Sequence, residues 1–142
     1  GPFVEKRGFQ ITVELADVAD SGVLVAQGGS SDGYSFYLTD GHLQFATRHG
    51  GTMTVISADD KLVTTAREVG VVLAQNGAVT ITVDGAVVAS GTTPGTMLRQ
   101  PLDGLTVGAD DTGLVGKYGK DNQFGGTISA VRIETRVTKK AG

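Results

Sequence analysis

At 142 residues, with a net charge of −3 and 22 glycines against 3 prolines, the chain has the size of one domain and the turn density of a β protein. It has no cysteine and no tryptophan, which excludes a disulfide framework, a thiolate metal site and a cysteine nucleophile. Lysines and arginines are scattered, so no basic stripe awaits a nucleic acid, and no apolar run approaches the ~20 residues with which a helix spans a bilayer.

In chain order, Gly1-Pro2 resembles the remnant of a cleaved tag, and residues 3–137 read as a single sandwich domain followed by a basic tail, 138–142, with Lys139-Lys140. Phe9, Ile11, Val13 and Leu15 alternate with Gln10, Thr12 and Glu14, the period-2 pattern of a half-buried strand. Val23-Leu24-Val25-Ala26 is a short apolar run that ends at the loop signal Gly28-Gly29-Ser30-Ser31-Asp32-Gly33. Tyr34, Phe36 and Leu38 then alternate with Ser35, Tyr37 and Thr39. That pattern assigns core packing to one of Tyr34 and Tyr37 and exposure to the other.

Asp40-Gly41, Asn76-Gly77 and Asp84-Gly85 each separate two strand patterns. Such Asx-Gly pairs favour two-residue type I′ turns, because both central residues need positive φ. Met53, Val55 and Ile56 supply a further strand, and Val79, Ile81 and Val83 give the cleanest alternation in the chain. Leu105-Thr106-Val107 and then Ile128, Val131 and Ile133 flank a long Gly- and Asp-rich excursion. The count of about ten to twelve short strands predicts an all-β, two-sheet antiparallel jelly-roll sandwich without helices.

Several segments, in this order, carry a family likeness: Gly22-Val23-Leu24-Val25-Ala26-Gln27-Gly28-Gly29, Gly33-Tyr34-Ser35-Phe36-Tyr37-Leu38-Thr39-Asp40-Gly41, Val79-Thr80-Ile81-Thr82-Val83-Asp84-Gly85, Leu105-Thr106-Val107-Gly108 and Phe124-Gly125-Gly126-Thr127-Ile128. Together they resemble the laminin-G, or concanavalin A-like, sandwich family. More narrowly, the first two, with Val107-Gly108-Ala109-Asp110-Asp111-Thr112-Gly113, resemble the carboxy-terminal domain of many bacterial arylsulfatases. That resemblance implies a non-catalytic accessory domain whose partner is the catalytic domain of a parent protein. The chain departs from it in carrying one aromatic over 43–47 and a tighter hairpin at Asn76-Gly77. Neither a cysteine nor a Ser-x-Pro-x-Arg segment is present, so sulfate-ester hydrolysis does not carry over to this chain.

The candidate site residues cluster in the long excursion. Asp110, Asp111 and Asp121, beside Asn122, could supply carboxylate oxygens to a Ca²⁺ ion, with Asp32 and Asp40 contributing from a neighbouring loop; the plainer reading is of Asx turns in a surface loop. Apart from that Ca²⁺ alternative no cofactor is expected. Tyr118, Asp121, Asn122 and Asp32 are the candidate contacts for a carbohydrate or protein ligand, the second reading of the chain being an autonomous lectin-like module. Glu14, Glu68 and Glu134 fall on polar strand faces, where a glycosidase pair would need aromatic platforms beside it, and only 6% of the residues are aromatic. His42 and His49 lack the Ser-Asp context of a triad and read as solvated side chains.

Overall fold

The computed structural model describes residues 8–28, 33–49, 52–74, 76–93, 105–107 and 124–136. Ten strands follow one another: β1 (Gly8–Asp17), β2 (Gly22–Gly28), β3 (Gly33–Thr39), β4 (His42–His49), β5 (Thr52–Ser57), β6 (Glu68–Leu73), β7 (Ala78–Val83), β8 (Ala86–Thr92), β9 (Leu105–Val107) and β10 (Thr127–Arg136). They form two antiparallel five-stranded sheets, β10-β1-β6-β7-β8 and β5-β4-β3-β2-β9. The two meanders, β2 to β5 and β6 to β8, follow from the turn chemistry, and no helix occurs among the described residues.

The core lies between the sheets. Phe9, Ile11, Val13 and Leu15 from β1 meet Tyr34, Phe36 and Leu38 from β3 and Leu43 and Phe45 from β4, all buried. The rings of Phe9, Tyr34 and Phe45 form the aromatic centre, with centroids 4.9 Å apart for Phe9–Tyr34, 6.4 Å for Phe9–Phe45 and 6.2 Å for Tyr34–Phe45. Each such side chain removed from water contributes about 1.5–3 kcal/mol, against which chain entropy is offset.

The second sheet is buried on both faces. Away from the core, Val23, Ala26, Tyr37 and Ala46 form a second buried cluster, with Val55 packed against it. Tyr34 and Tyr37 are therefore both buried, on opposite faces of β3, which corrects the assignment of only one of them to packing. A register shift between Val23 and Val25 places both Leu24 and Val25 on the core side, while Val23 and Ala26 join the outer cluster. The unbroken apolar run 23–26 thereby serves two layers.

Asp40 and Asp84 have φ of 49° and Gly41 and Gly85 have φ of 85°, the type I′ geometry expected from Asp-Gly. The Asn76-Gly77 connection differs. Gly77 is left-handed, with φ of 92°, and the Asn76 side chain accepts a hydrogen bond from the Ala78 amide at 3.0 Å. The hairpin closes through Ala74 N–H to Ala78 O and Gly77 N–H to Ala74 O, so the expected two-residue turn is replaced by an Asn-capped one.

The two Asp-Gly turns allow a graded test. A Cβ on Gly85 would meet nothing, whereas one on Gly41 would press on the Lys61 stem at 3.2 Å. Gly85→Ala is expected to cost about 1 kcal/mol, the left-handed penalty alone, and Gly41→Ala measurably more. Urea unfolding midpoints check the order; equal midpoints for both variants would remove the Lys61 contribution.

Candidate functional site

The connection from β5 to β6 is folded back over the β3–β4 turn. Ala58 N–H donates to Leu43 O at 2.9 Å, Leu62 N–H to Gly41 O at 2.8 Å, and His42 Nδ1 to the Ala58 carbonyl at 2.9 Å. His42 is thus a half-buried tether rather than a solvated side chain. On the other flank the Asp84 carboxylate accepts the amides of Arg67 and Glu68, both at 3.0 Å, and ties the β7–β8 turn to the start of β6.

Held from both sides, the connection borders an open cleft of about 210 Å³ whose apolar lining is Leu43, Ala58, Leu62, Val63, Val83 and Val88. Asp60 and Lys61 complete the lining. Val63 is 57% exposed and Val88 39%, so the apolar wall of the cleft reaches the surface at β8, whereas exposed Val87, opposite Thr82, lies on the other face of the sheet. β8 is the edge of its sheet, and none of its residues, Ala86–Thr92, is charged. An apolar surface of this kind, continuous from a cleft to an uncharged sheet edge, suits contact with another polypeptide.

Sequence reasoning missed this cleft. The available signal was Leu62-Val63, an apolar pair without alternation inside the polar stretch 59–65.

The outer face of the first sheet is polar. Glu14 stands directly opposite Glu68, Thr12 opposite Arg132 and Gln10 opposite Glu134. All three glutamates are exposed, as expected of polar strand faces. Arg132 Nε lies 3.6 Å from Glu134 Oε1, a solvent-screened pair of little energetic weight. Every aromatic side chain whose burial is described, Phe9, Tyr34, Phe36, Tyr37, Phe45 and Phe124, is buried, so the neighbouring Glu14 and Glu68 have no aromatic platform among the described residues.

Of the expected contact and metal residues, Asp32, Asp110, Asp111, Tyr118, Asp121 and Asn122 lie outside the described residues, as does the His49 side chain. Asp40 is described and is a turn residue. Among the described residues no group of three or more His, Asp or Glu side chains could hold a metal ion.

The Tyr34 hydroxyl donates to Gln27 Oε1 at 2.9 Å, and burial pushes its phenol far above the ordinary value of 10.0. In the unfolded chain that phenol ionises near its ordinary value, so the stability it confers is complete below about pH 10 and is lost as pH rises further, by about 1.4 kcal/mol per pH unit. Tyr34→Phe is expected to flatten the fall in unfolding free energy above pH 10 relative to the parent chain. Parallel pH profiles for the two proteins would contradict the assignment.

No curated protein matches the chain significantly. Domains LG4-5 of the mouse laminin alpha1 chain superpose with a TM-score of 0.70 at 16% identity, over 94% of this chain and 38% of that one. The CBM40 of the Ruminococcus gnavus IT-sialidase bound to alpha2,3 sialyllactose gives 0.62 at 15% identity, over 94% and 76%. The receptor binding domain of botulinum neurotoxin D gives 0.61 at 9%, over 94% and 35%. At these identities the likeness establishes the fold, and the chain spans well under half of the laminin and toxin structures it matches. Residues 13–141 also match the sequence profile of a laminin-G family, and on that match the chain belongs to the concanavalin A-like lectin/glucanases superfamily.

Proposed function

We propose that this chain is a non-catalytic accessory module of a larger hydrolase, sulfatase-like by its motif order, and that it engages a neighbouring polypeptide surface. The observation carrying this reading is the cleft bordered by Leu43 and Leu62 and by the exposed Val63 and Val88, while every aromatic side chain of described burial is buried. In the natural protein that contains this module, Val63→Asp with Val88→Asp is expected to break coupled melting into two transitions. A single unchanged transition would refute contact through the cleft. The purified module is expected to turn over neither aryl sulfate nor β-glucan, and turnover abolished by a point change within it would overturn the accessory role.

Carbohydrate binding is the second reading, favoured by membership of a lectin-containing superfamily and by the fold shared with a module bound to sialyllactose. Its contacts would come from Asp32, Tyr118, Asp121 and Asn122, and Ca²⁺ from Asp110, Asp111 and Asp121 would organise them. Calorimetric titration with a panel of sialylated and neutral oligosaccharides tests it. Binding lost in Tyr118→Ala and Asp121→Ala supports this reading, and no heat with any glycan, with or without Ca²⁺, removes it.

A further inference from the structure

The charge around the cleft is one-sided. Register puts the end of β1, the starts of β6 and β10 and the β7–β8 turn at one end of the first sheet, and the end of β5 and the β3–β4 turn at one end of the second. Backbone bonds join these segments: Gly41 N–H to Asp20 O, Leu62 N–H to Gly41 O, Leu15 N–H to Arg67 O and Asp84 N–H to Glu68 O. Six exposed aspartates, Asp17, Asp20, Asp40, Asp59, Asp60 and Asp84, therefore share the end on which the cleft opens. Among the described residues only Lys61 and Arg67 bring positive charge there. Arg48 sits towards the opposite end of β4, and Arg132 lies mid-strand in β10.

We infer that the occupant of the cleft is a polypeptide segment with an apolar centre flanked by lysine or arginine. This rests on the reading of the cleft as a docking surface and adds the chemistry of what docks. The apolar wall of Leu62, Val63, Val83 and Val88 supplies the burial. The surrounding carboxylates set the sign of the partner: they attract a cationic segment and repel an acidic one, whose desolvation beside them would go uncompensated. A second copy of this chain is disfavoured by the same charges, because a two-fold contact through the cleft would bring one ring of aspartates against another.

The test uses two fluorescein-labelled heptapeptides, each with a Val-Leu-Val centre, one flanked on both sides by two lysines and the other by two glutamates. Fluorescence anisotropy is expected to show the lysine peptide binding about tenfold or more tighter than its twin at low salt, the difference closing at about 1 M salt. Asp59→Asn with Asp60→Asn is expected to shrink that preference, while Val63→Ser with Val88→Ser removes the binding of both peptides. If both peptides bind equally and the valine variant abolishes both, the cleft remains a docking surface but the basic-partner inference fails. Binding of the lysine peptide that survives the valine variant marks charge alone, and overturns the inference too. Binding of neither peptide at any salt overturns the inference together with the docking reading. Circular dichroism of each variant checks that the fold is retained, and sedimentation of the unmodified chain is expected to give a monomer. A dimer dispersed by the valine variant would make a second copy the occupant instead.

Discussion

Phe45→Ala is expected to destabilise the domain by about 4 kcal/mol, the cost of deleting a fully buried ring whose place the surroundings cannot refill. Phe45 is buried, its ring faces both Phe9 and Tyr34, and its strand pairs on both sides, with Phe36 opposite in β3 and Ile56 opposite in β5. Relaxation would have to move two sheets at once, so most of the cavity should persist. Domains of this size have about 5–15 kcal/mol of stability in total, and the loss is a large share of it. Chemical denaturation should show a much lower midpoint with an unchanged slope. A loss below about 1 kcal/mol would mean that the aromatic centre is not the packed unit described.

Gly126→Ala is expected to cost about 3 kcal/mol, for a steric reason unrelated to backbone handedness. A Cβ there would overlap the Asp17 carbonyl oxygen, and it would stand 2.7 Å from Phe124 Cζ and 2.8 Å from Cε2. Neither neighbour is free to yield. Asp17 is the last paired residue of β1, opposite Thr127, and Phe124 is buried in the core cluster. Gly125→Ala provides the control, since its Cβ would meet only Ala19 at an ordinary 3.5 Å. Equal thermal midpoints for the two variants would contradict the close approach at Gly126.

What could be read from the sequence was what is local. Asp40-Gly41 and Asp84-Gly85 encode their turns because positive φ is a property of the residues themselves, and the alternation in β1, β3 and β7 encodes which side chains face the core. Asn76-Gly77 carried the same signal and took another turn, since the asparagine side chain could satisfy the Ala78 amide directly. Burial of Tyr37, Ser35 and Ala46 was not legible: the same alternation describes a strand with one wet face and one with two dry faces. The cleft depends on residues 58–67 returning to β4, a long-range fold-back without a periodic signature. For the candidate site itself, the sequence nominated the rim around Asp32 and Asp110 to Asn122, whereas the described structure puts its exposed apolar surface beside Val63 and Val88.

The pairing of the first strand with the last sets how the module responds to load. Gly8 lies opposite Arg136, so a host chain joined at both ends would leave through neighbouring points on one antiparallel ladder. Tension between those points opens the ladder rung by rung from the Gly8–Arg136 end, instead of shearing all its hydrogen bonds together. β10 borders only β1, and peeling it away leaves the remaining strand pairs intact. Pulled through both ends, the domain should yield first by losing this single strand at low force.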